Sequence, residues 1–382
     1  MEAYSTLQML GWLTVGIAMF LFAVTGGFDF GAGMLAPFIG KTDEERRVVI
    51  NTVGPTWDGN QVWLITVGGL LFAIWPRVYA AAFSGFYFAM LLVLWALFLR
   101  PVSFEYRHQI NSEKWRTFWD WALFTGSLVP SLVIGVAVGN LLLGVPFHYD
   151  EISLRFFYDG SFFGLFRPLP IVTGLFCVAM MVMHGSAYLQ LRTEGIVLQR
   201  AKATLLYSSL IVIALFLVIG FWLEFGVKGY LLINPHGKML LHPLVNHVEL
   251  RTGGWLINYQ KHYWIIAAPI AAIVGAVLTS LLSRYNLRFL AFCSSIISVL
   301  GIIFTWGLSM FPFIMPSSSA PSQSLTAWNA TSSTQSLNGI LLCAAVMLPI
   351  IFIYTGFVYR KLWGRGERMS VGRVTRESHN LY

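Results

Sequence analysis

Apolar residues in this chain come in long, nearly unbroken blocks separated by short polar links, with no two-residue alternation. Nine such blocks cover about residues 7–39, 55–73, 78–99, 118–142, 168–191, 205–225, 264–282, 287–311 and 337–358. About 20 apolar residues wound as a helix cross the hydrocarbon of a bilayer. A helix is needed there because each backbone N–H and C=O must find its partner within the segment. The pattern predicts an all-α integral membrane protein with nine transmembrane helices. The second block is the poorest, since it carries Asp58, Asn60 and Gln61, but Trp75-Pro76-Arg77 marks it off from the third.

Charge tests this count. Basic residues follow the first block (Lys41, Arg46, Arg47), the third (Arg100, Arg107, Lys114, Arg116), the fifth (Arg192, Arg200, Lys202), the seventh (Arg284, Arg288) and the ninth (Arg360, Lys361, Arg365, Arg368, Arg373, Arg376). The alternate loops hold only Arg77, Arg155, Arg167, Lys228, Lys238, Arg251 and Lys261, and four of these share one long loop, where charge weighs little. Odd-numbered helices therefore end inside, with the N-terminus outside and the C-terminus inside. Omitting the second helix would split the first two basic clusters between opposite faces, so nine spans fit better than eight.

Composition narrows the class further. Hydrophobic residues make up 57% and charged residues 11%, against about 25% charged in soluble domains. The net charge of +8 is thus a topology signal, and no nucleic-acid partner is implied. Cys177, Cys293 and Cys343 all lie in apolar blocks without metal-ligand spacing, so no disulfide framework or redox pair follows. The start lacks a basic n-region, and its first block is too long for a signal peptide.

The candidate chemistry lies in charges set within or beside apolar blocks. Asp29 interrupts the first block, and a carboxylate there costs roughly 2.5–3.5 kcal/mol on insertion scales. On the proposed topology Asp29, Asp58, Arg100, Glu105 and Asp120 come to one level, at the inner ends of the first four helices. Two readings stay open for this set. Partly buried carboxylates can pass protons, or pairs such as Asp29–Arg100 and Asp120–Arg100 can fix helix packing. Trp57 and Trp63 flank the polar start of the second helix, where interfacial anchoring is the ordinary role. Of eight histidines only His184 falls in mid-span, and no His pair at helical spacing or Cys-x-x-Cys accompanies it. A self-contained haem or metal centre is therefore not expected.

Several strings together resemble subunit 2 of cytochrome bd-type quinol oxidases. They are Val24-Thr25-Gly26-Gly27-Phe28-Asp29-Phe30-Gly31, Trp57-Asp58-Gly59-Asn60-Gln61-Val62-Trp63-Leu64-Ile65 and Ala80-Ala81-Ala82-Phe83-Ser84-Gly85-Phe86-Tyr87. Arg100-Pro101-Val102, Gly139-Asn140-Leu141-Leu142-Leu143-Gly144-Val145-Pro146-Phe147, Phe311-Pro312-Phe313-Ile314-Met315-Pro316-Ser317-Ser318 and the end His379-Asn380-Leu381-Tyr382 continue the match along the chain.

The resemblance implies a subunit of a bacterial inner (cytoplasmic) membrane terminal oxidase that oxidises quinol and reduces dioxygen to water, with protons taken up from the cytoplasm. It implies two four-helix bundles, about residues 7–146 and 165–311, and a peripheral ninth helix at about 335–365. Two haems b and one haem d belong to the partner, subunit 1, whose assembly this chain supports. Some members hold a structural quinone in subunit 2, and a small single-helix accessory subunit can join. Membrane lipid and quinone are further partners. Carried onto this chain, Asp58 is the first proton-path candidate, with Asp29, Glu105 and Tyr382 beside it. Trp63 flanks an oxygen entry, and Arg100, Asp120 and Trp57 serve structure or assembly. Two departures stand out. Gly26 replaces an acid common in close relatives, so no acid there is essential to this chain, while Glu105 replaces an aspartate and keeps its charge. The alternatives are a purely structural scaffold of the oxidase and a stand-alone proton-coupled transporter. The latter is disfavoured by the lack of inverted repeats or matched broken helices.

Overall fold

A computed structural model describes residues 2–233, 247–362 and 368–376. Helices dominate. The first half contains α1 (Glu2–Ile39), α2 (Asp43–Val53), α3 (Trp57–Ile74), α4 (Pro76–Gly85), α5 (Tyr87–Tyr106) and α6 (Glu113–Leu143). The second contains α7 (Pro168–Arg192), α8 (Gly195–Phe225), α9 (Ile257–Lys261), α10 (Ala267–Arg284), α11 (Arg288–Met310), α12 (Thr334–Leu362) and α13 (Val371–Arg376). Among the described residues eight helices are long and apolar enough to cross a membrane: α1, α5, α6, α7, α8, α10 with the turn before it, α11 and α12. This is a multi-pass membrane protein. The 18-residue α3 is not among the eight; its first turn carries Asp58, Asn60 and Gln61, which dilute its apolarity.

α1 is the central element, packing on α3, α6, α7, α11 and α12. Without a hydrophobic force between helices in lipid, close approach depends on small residues. The α1–α7 crossing rests on Gly31 and Gly185: a Cβ on Gly31 would stand 2.1 Å from the Met181 carbonyl oxygen and 2.8 Å from the Gly185 Cα. α6 joins α5 and α7, α7 joins α8, and α10 packs along α11 and α8. α12 touches only α1 and α3 among the helices in extensive contact.

Among the described residues three two-stranded antiparallel ribbons close one end: β1 (Phe147–Tyr149) with β2 (Phe156–Tyr158), β3 (Lys228–Leu232) with β4 (Val248–Thr252), and β5 (Phe313–Met315) with β6 (Leu325–Thr326). Side-chain ties bind this layer to the helices. The Trp255 indole N–H donates to Leu142 O at 2.9 Å, and Asn258 donates to Leu308 O and Phe311 O.

Two expectations change. The block at 78–99 is not one helix; it is α4 and α5, broken at Phe86 (φ −98°, ψ 22°). Gly85 abuts the Tyr158 ring there, and the buried Phe86 side chain joins the core beneath the loops. Several helices also outrun their apolar blocks. α5 continues through Pro101 to Tyr106, so Arg100 and Glu105 are both helical, and α8 begins at Gly195, ahead of Arg200 and Lys202.

Candidate functional site

The charged residues at the helix ends opposite the ribbons form two separate groups. The deeper one is built on α1. Asp29 is fully buried, and its Oδ2 accepts a 2.7 Å hydrogen bond from Asn60 Nδ2 in α3. Asn60 Oδ1 in turn accepts from the Tyr359 hydroxyl of α12. Asp29 Oδ1 has no hydrogen-bond partner. Arg100, also fully buried, interacts electrostatically with Asp29 but forms no ion pair within contact distance. Its Nη1 donates to Ser127 Oγ at 2.6 Å, and its guanidinium lies 4.4 Å from the centre of the Phe30 ring. The cluster thus holds one carboxylate and one guanidinium in a low-dielectric interior, where charge interactions are strong and incomplete pairing is costly.

The shallower group lies where α2, α5 and α6 meet. Asp120 accepts from Arg107 Nε at 2.7 Å and from Arg46 Nη1 at 3.0 Å. Asp43 accepts a 2.6 Å hydrogen bond from Arg107 Nη2 and forms an ion pair with Arg116 at 3.3 Å. Burial alone would lower the Arg107 pKa, but the hydrogen bond and charge of Asp120, with those of Asp43, raise it above its usual value. The Asp120–Arg100 pairing considered from sequence is therefore replaced: α2 folds back over the helix ends and supplies Arg46, while Arg107 follows the last turn of α5. α2 is itself fixed by a capping box between Thr42 and Glu45. Burial would raise the Glu45 pKa, yet the hydrogen bond from Arg200 (2.6 Å) and those from the Lys41 and Thr42 N–H groups hold it below the ordinary value.

Asp58 and Glu105 enter neither network, and both are exposed on this chain. Their neighbours Trp57 and Phe104 stack at 5.2 Å, which brings the start of α3 beside the end of α5. Trp63 is buried and lies 6.2 Å from Phe352 of α12. Tyr382 lies outside the described residues. Reading the sequence missed Arg46, Asp43 and Tyr359 as members of these networks. Loop arginines carry the same signal whether they set topology or form a buried pair, and a lone tyrosine near the end of an apolar block looks like an interfacial anchor.

A family model for cytochrome bd terminal oxidase subunit II matches residues 7–362. "Cytochrome bd-I ubiquinol oxidase subunit 2" of Escherichia coli (strain K12) is 46% identical over 380 residues, covering 99% of each chain. The chain belongs to the cytochrome bd terminal oxidase subunit II family. It is a subunit of an oxidoreductase. "Probable cytochrome oxidase subunit 2" of Haemophilus influenzae is 42% identical over 380 residues, again 99% of both chains. A chain in the structure of bd oxidase from Geobacillus thermodenitrificans shares the fold, with a TM-score of 0.67 over 92% of this chain and 98% of that one, at 15% identity.

Cytochromes imply haem, so the one mid-span histidine is the relevant test. Both ring nitrogens of His184 are engaged, one with Ser295 Oγ at 2.8 Å and the other with Val24 O at 2.9 Å. The ring is fully buried and stacks on Phe292 at 5.2 Å. His184 is a cross-link between α1, α7 and α11, with neither nitrogen free for iron. Among the described residues no group of three or more His, Cys, Asp or Glu side chains is arranged to hold a metal ion. The mid-span histidine thus offers no free nitrogen as a haem ligand.

Proposed function

We propose that this chain is the haem-free subunit of a quinol:dioxygen oxidoreductase in a bacterial inner membrane. It pairs with a subunit 1 that carries the two haems b and one haem d. Nine spans with the N-terminus outside, α3 included, form two four-helix bundles at about residues 7–146 and 165–311, with α12 as the peripheral helix at about 335–365. A structural quinone, a small accessory subunit and bound lipid complete the assembly. The end-to-end family match carries the functional reading. The engaged His184 supports placing the haems elsewhere.

Within that complex, Asp58 is the entry residue for protons from the cytoplasm. It is exposed at the start of α3, two residues before Asn60, whose amide holds the buried Asp29. Glu105 shares its level through the Trp57–Phe104 stack, and Tyr382 belongs to the same route. Trp63, buried against α12, borders the oxygen entry. In the assembled oxidase, Asp58→Asn should slow turnover and proton uptake together at unchanged haem content. Normal values for both would remove Asp58 from the route.

A second reading applies to Asp120. Both of its oxygens are committed to arginines, which supports a structural role in assembly. Family membership weighs against a stand-alone transporter.

A further inference from the structure

Arg100 is anchored beside Asp29 but not on it. Its Nη1 donates to Ser127 Oγ at 2.6 Å, and that hydroxyl is itself fixed on α6 by donating to Leu123 O at 2.8 Å. The guanidinium carbon lies 4.4 Å from the centre of the ring of Phe30, the residue after Asp29 on α1. Nη1 also lies 3.4 Å from where a Cβ on Gly33 would stand, so the glycine makes room for it. Gly33 shares a face of α1 with Asp29 and follows it by one turn, about 6 Å along the axis. Carboxylate and guanidinium are thus neighbours between α1 and α5, yet no ion pair among the described residues joins them. Both side chains are fully buried with bonding capacity unused: Asp29 Oδ1, Arg100 Nε and Arg100 Nη2 have no partner. Bare polar atoms are costly in such an interior, most of all on charged groups.

The unpaired atoms, one acceptor and two donors, specify the ligand. An anion would suit the guanidinium and be repelled by the carboxylate, and a cation would meet the reverse. Water both donates and accepts, and with hydrogen bonds of about 2.8 Å on either side one molecule spans about 5 Å. Internal waters are held by a few buried polar partners of this kind. We propose that an internal water molecule binds between Asp29 and Arg100, donating to Asp29 Oδ1 and accepting from Arg100 Nε or Nη2. Asp29 Oδ2 is already filled by the Asn60 amide, and neither an amide N–H nor a guanidinium gives up its proton at neutral pH. The water is then the proton-exchanging contact of Asp29. That consequence rests on the proton route proposed above, whereas the binding site does not.

The test is a cryo-electron microscopy map of the complete oxidase at a resolution that shows ordered water. Density should stand within hydrogen-bond distance of both Asp29 Oδ1 and Arg100 Nε or Nη2. Asp29→Asn, which keeps an acceptor, should retain this density, and Asp29→Leu should lose it. Hydroxyl-radical footprinting of the parent gives a second reading that needs no variant. Radicals formed from the bound water should oxidise Phe30 several-fold faster than Phe147, which is equally buried. A guanidinium in direct contact with the carboxylate, with no density between them, would overturn the site, as would equal labelling of the two rings. Loss of the density when chloride is removed would make the ligand an anion and overturn the water assignment. Density kept in Asp29→Asn, together with normal turnover and proton uptake, would take Asp29 off the proton route and leave the water site intact.

Discussion

At the scale of single residues, a charge inside an apolar run is readable as buried, but its partner is not. Asp29, Arg100 and Asp120 are all buried as their neighbours suggest, and the partners of Asp120 come from the flanking links. Removing one side of a buried pair leaves the other charge uncompensated and costs roughly 3–5 kcal/mol. Asp120→Asn should therefore fall near the lower bound, because Asp43 still reaches Arg107. The expected result is a lower thermal midpoint and reduced yield of the intact complex, with restoration by Asp120→Glu. An unchanged midpoint would show that Arg46 and Arg107 find other partners. Glu45 gives a pH-dependent counterpart. Its folded pKa lies below the ordinary carboxylate value, so its contribution to stability is complete above about pH 4.3 and is lost as pH falls through the folded value. Thermal midpoints measured from neutral pH downward should drop less steeply in that acid range for Glu45→Gln than for the parent.

Helices as elements were largely legible, since uninterrupted apolar blocks leave no other way to satisfy the backbone in lipid. Their ends were less so. A helix stops where its hydrogen bonds stop, not where the hydrocarbon does, and α6 and α8 begin at Glu113 and Gly195, ahead of their apolar blocks and among charged residues. The α4–α5 break was hidden for a related reason: apolarity runs straight through Phe86, and the turn lies where Gly85 packs close to the Tyr158 ring, a tertiary contact that no local pattern announces. Which of the glycines carry packing was equally invisible. Gly31→Ala would drive a methyl group into the backbone of α7, whereas a Cβ at Gly220 meets nothing within 4 Å. Gly31→Ala should separate α1 from α7 and lower the melting temperature and yield of the complex. Gly220→Ala should be neutral, or stabilising by about 0.5–1 kcal/mol from helix propensity. Similar losses for both would mean that α1 and α7 are not held by close backbone approach.

For the whole molecule, the fold survives at 15% identity to the Geobacillus chain, which is expected when helix order and small-residue crossings define the architecture more than side-chain identity. α12 is the exception to close packing. Leu337 is its one buried residue among those described, and lipid supplies no hydrophobic force to hold it on α1 and α3. Polar ties take that role. Gln8 Nε2 donates to Trp328 O at 2.9 Å and Tyr4 to Ser332 O at 2.9 Å, fixing the segment that leads into α12. At its other end the Tyr359 hydroxyl donates to Asn60. A single such bond between membrane helices is worth about 0.6–2 kcal/mol, enough to shift the docked fraction of one helix end by several-fold. Tyr359→Phe should therefore loosen only the end of α12 that carries Arg360 and Lys361. With Cys343→Ser as background, spin labels at Glu44→Cys and Leu362→Cys should give a broader distance distribution in the phenylalanine variant. A label pair near Thr334 should be unaffected, since Gln8 and Tyr4 still hold that end. An unchanged distribution for the first pair would mean that α12 is retained by its contacts with lipid or a partner subunit, and that the Tyr359–Asn60 bond serves Asp29 instead of the helix.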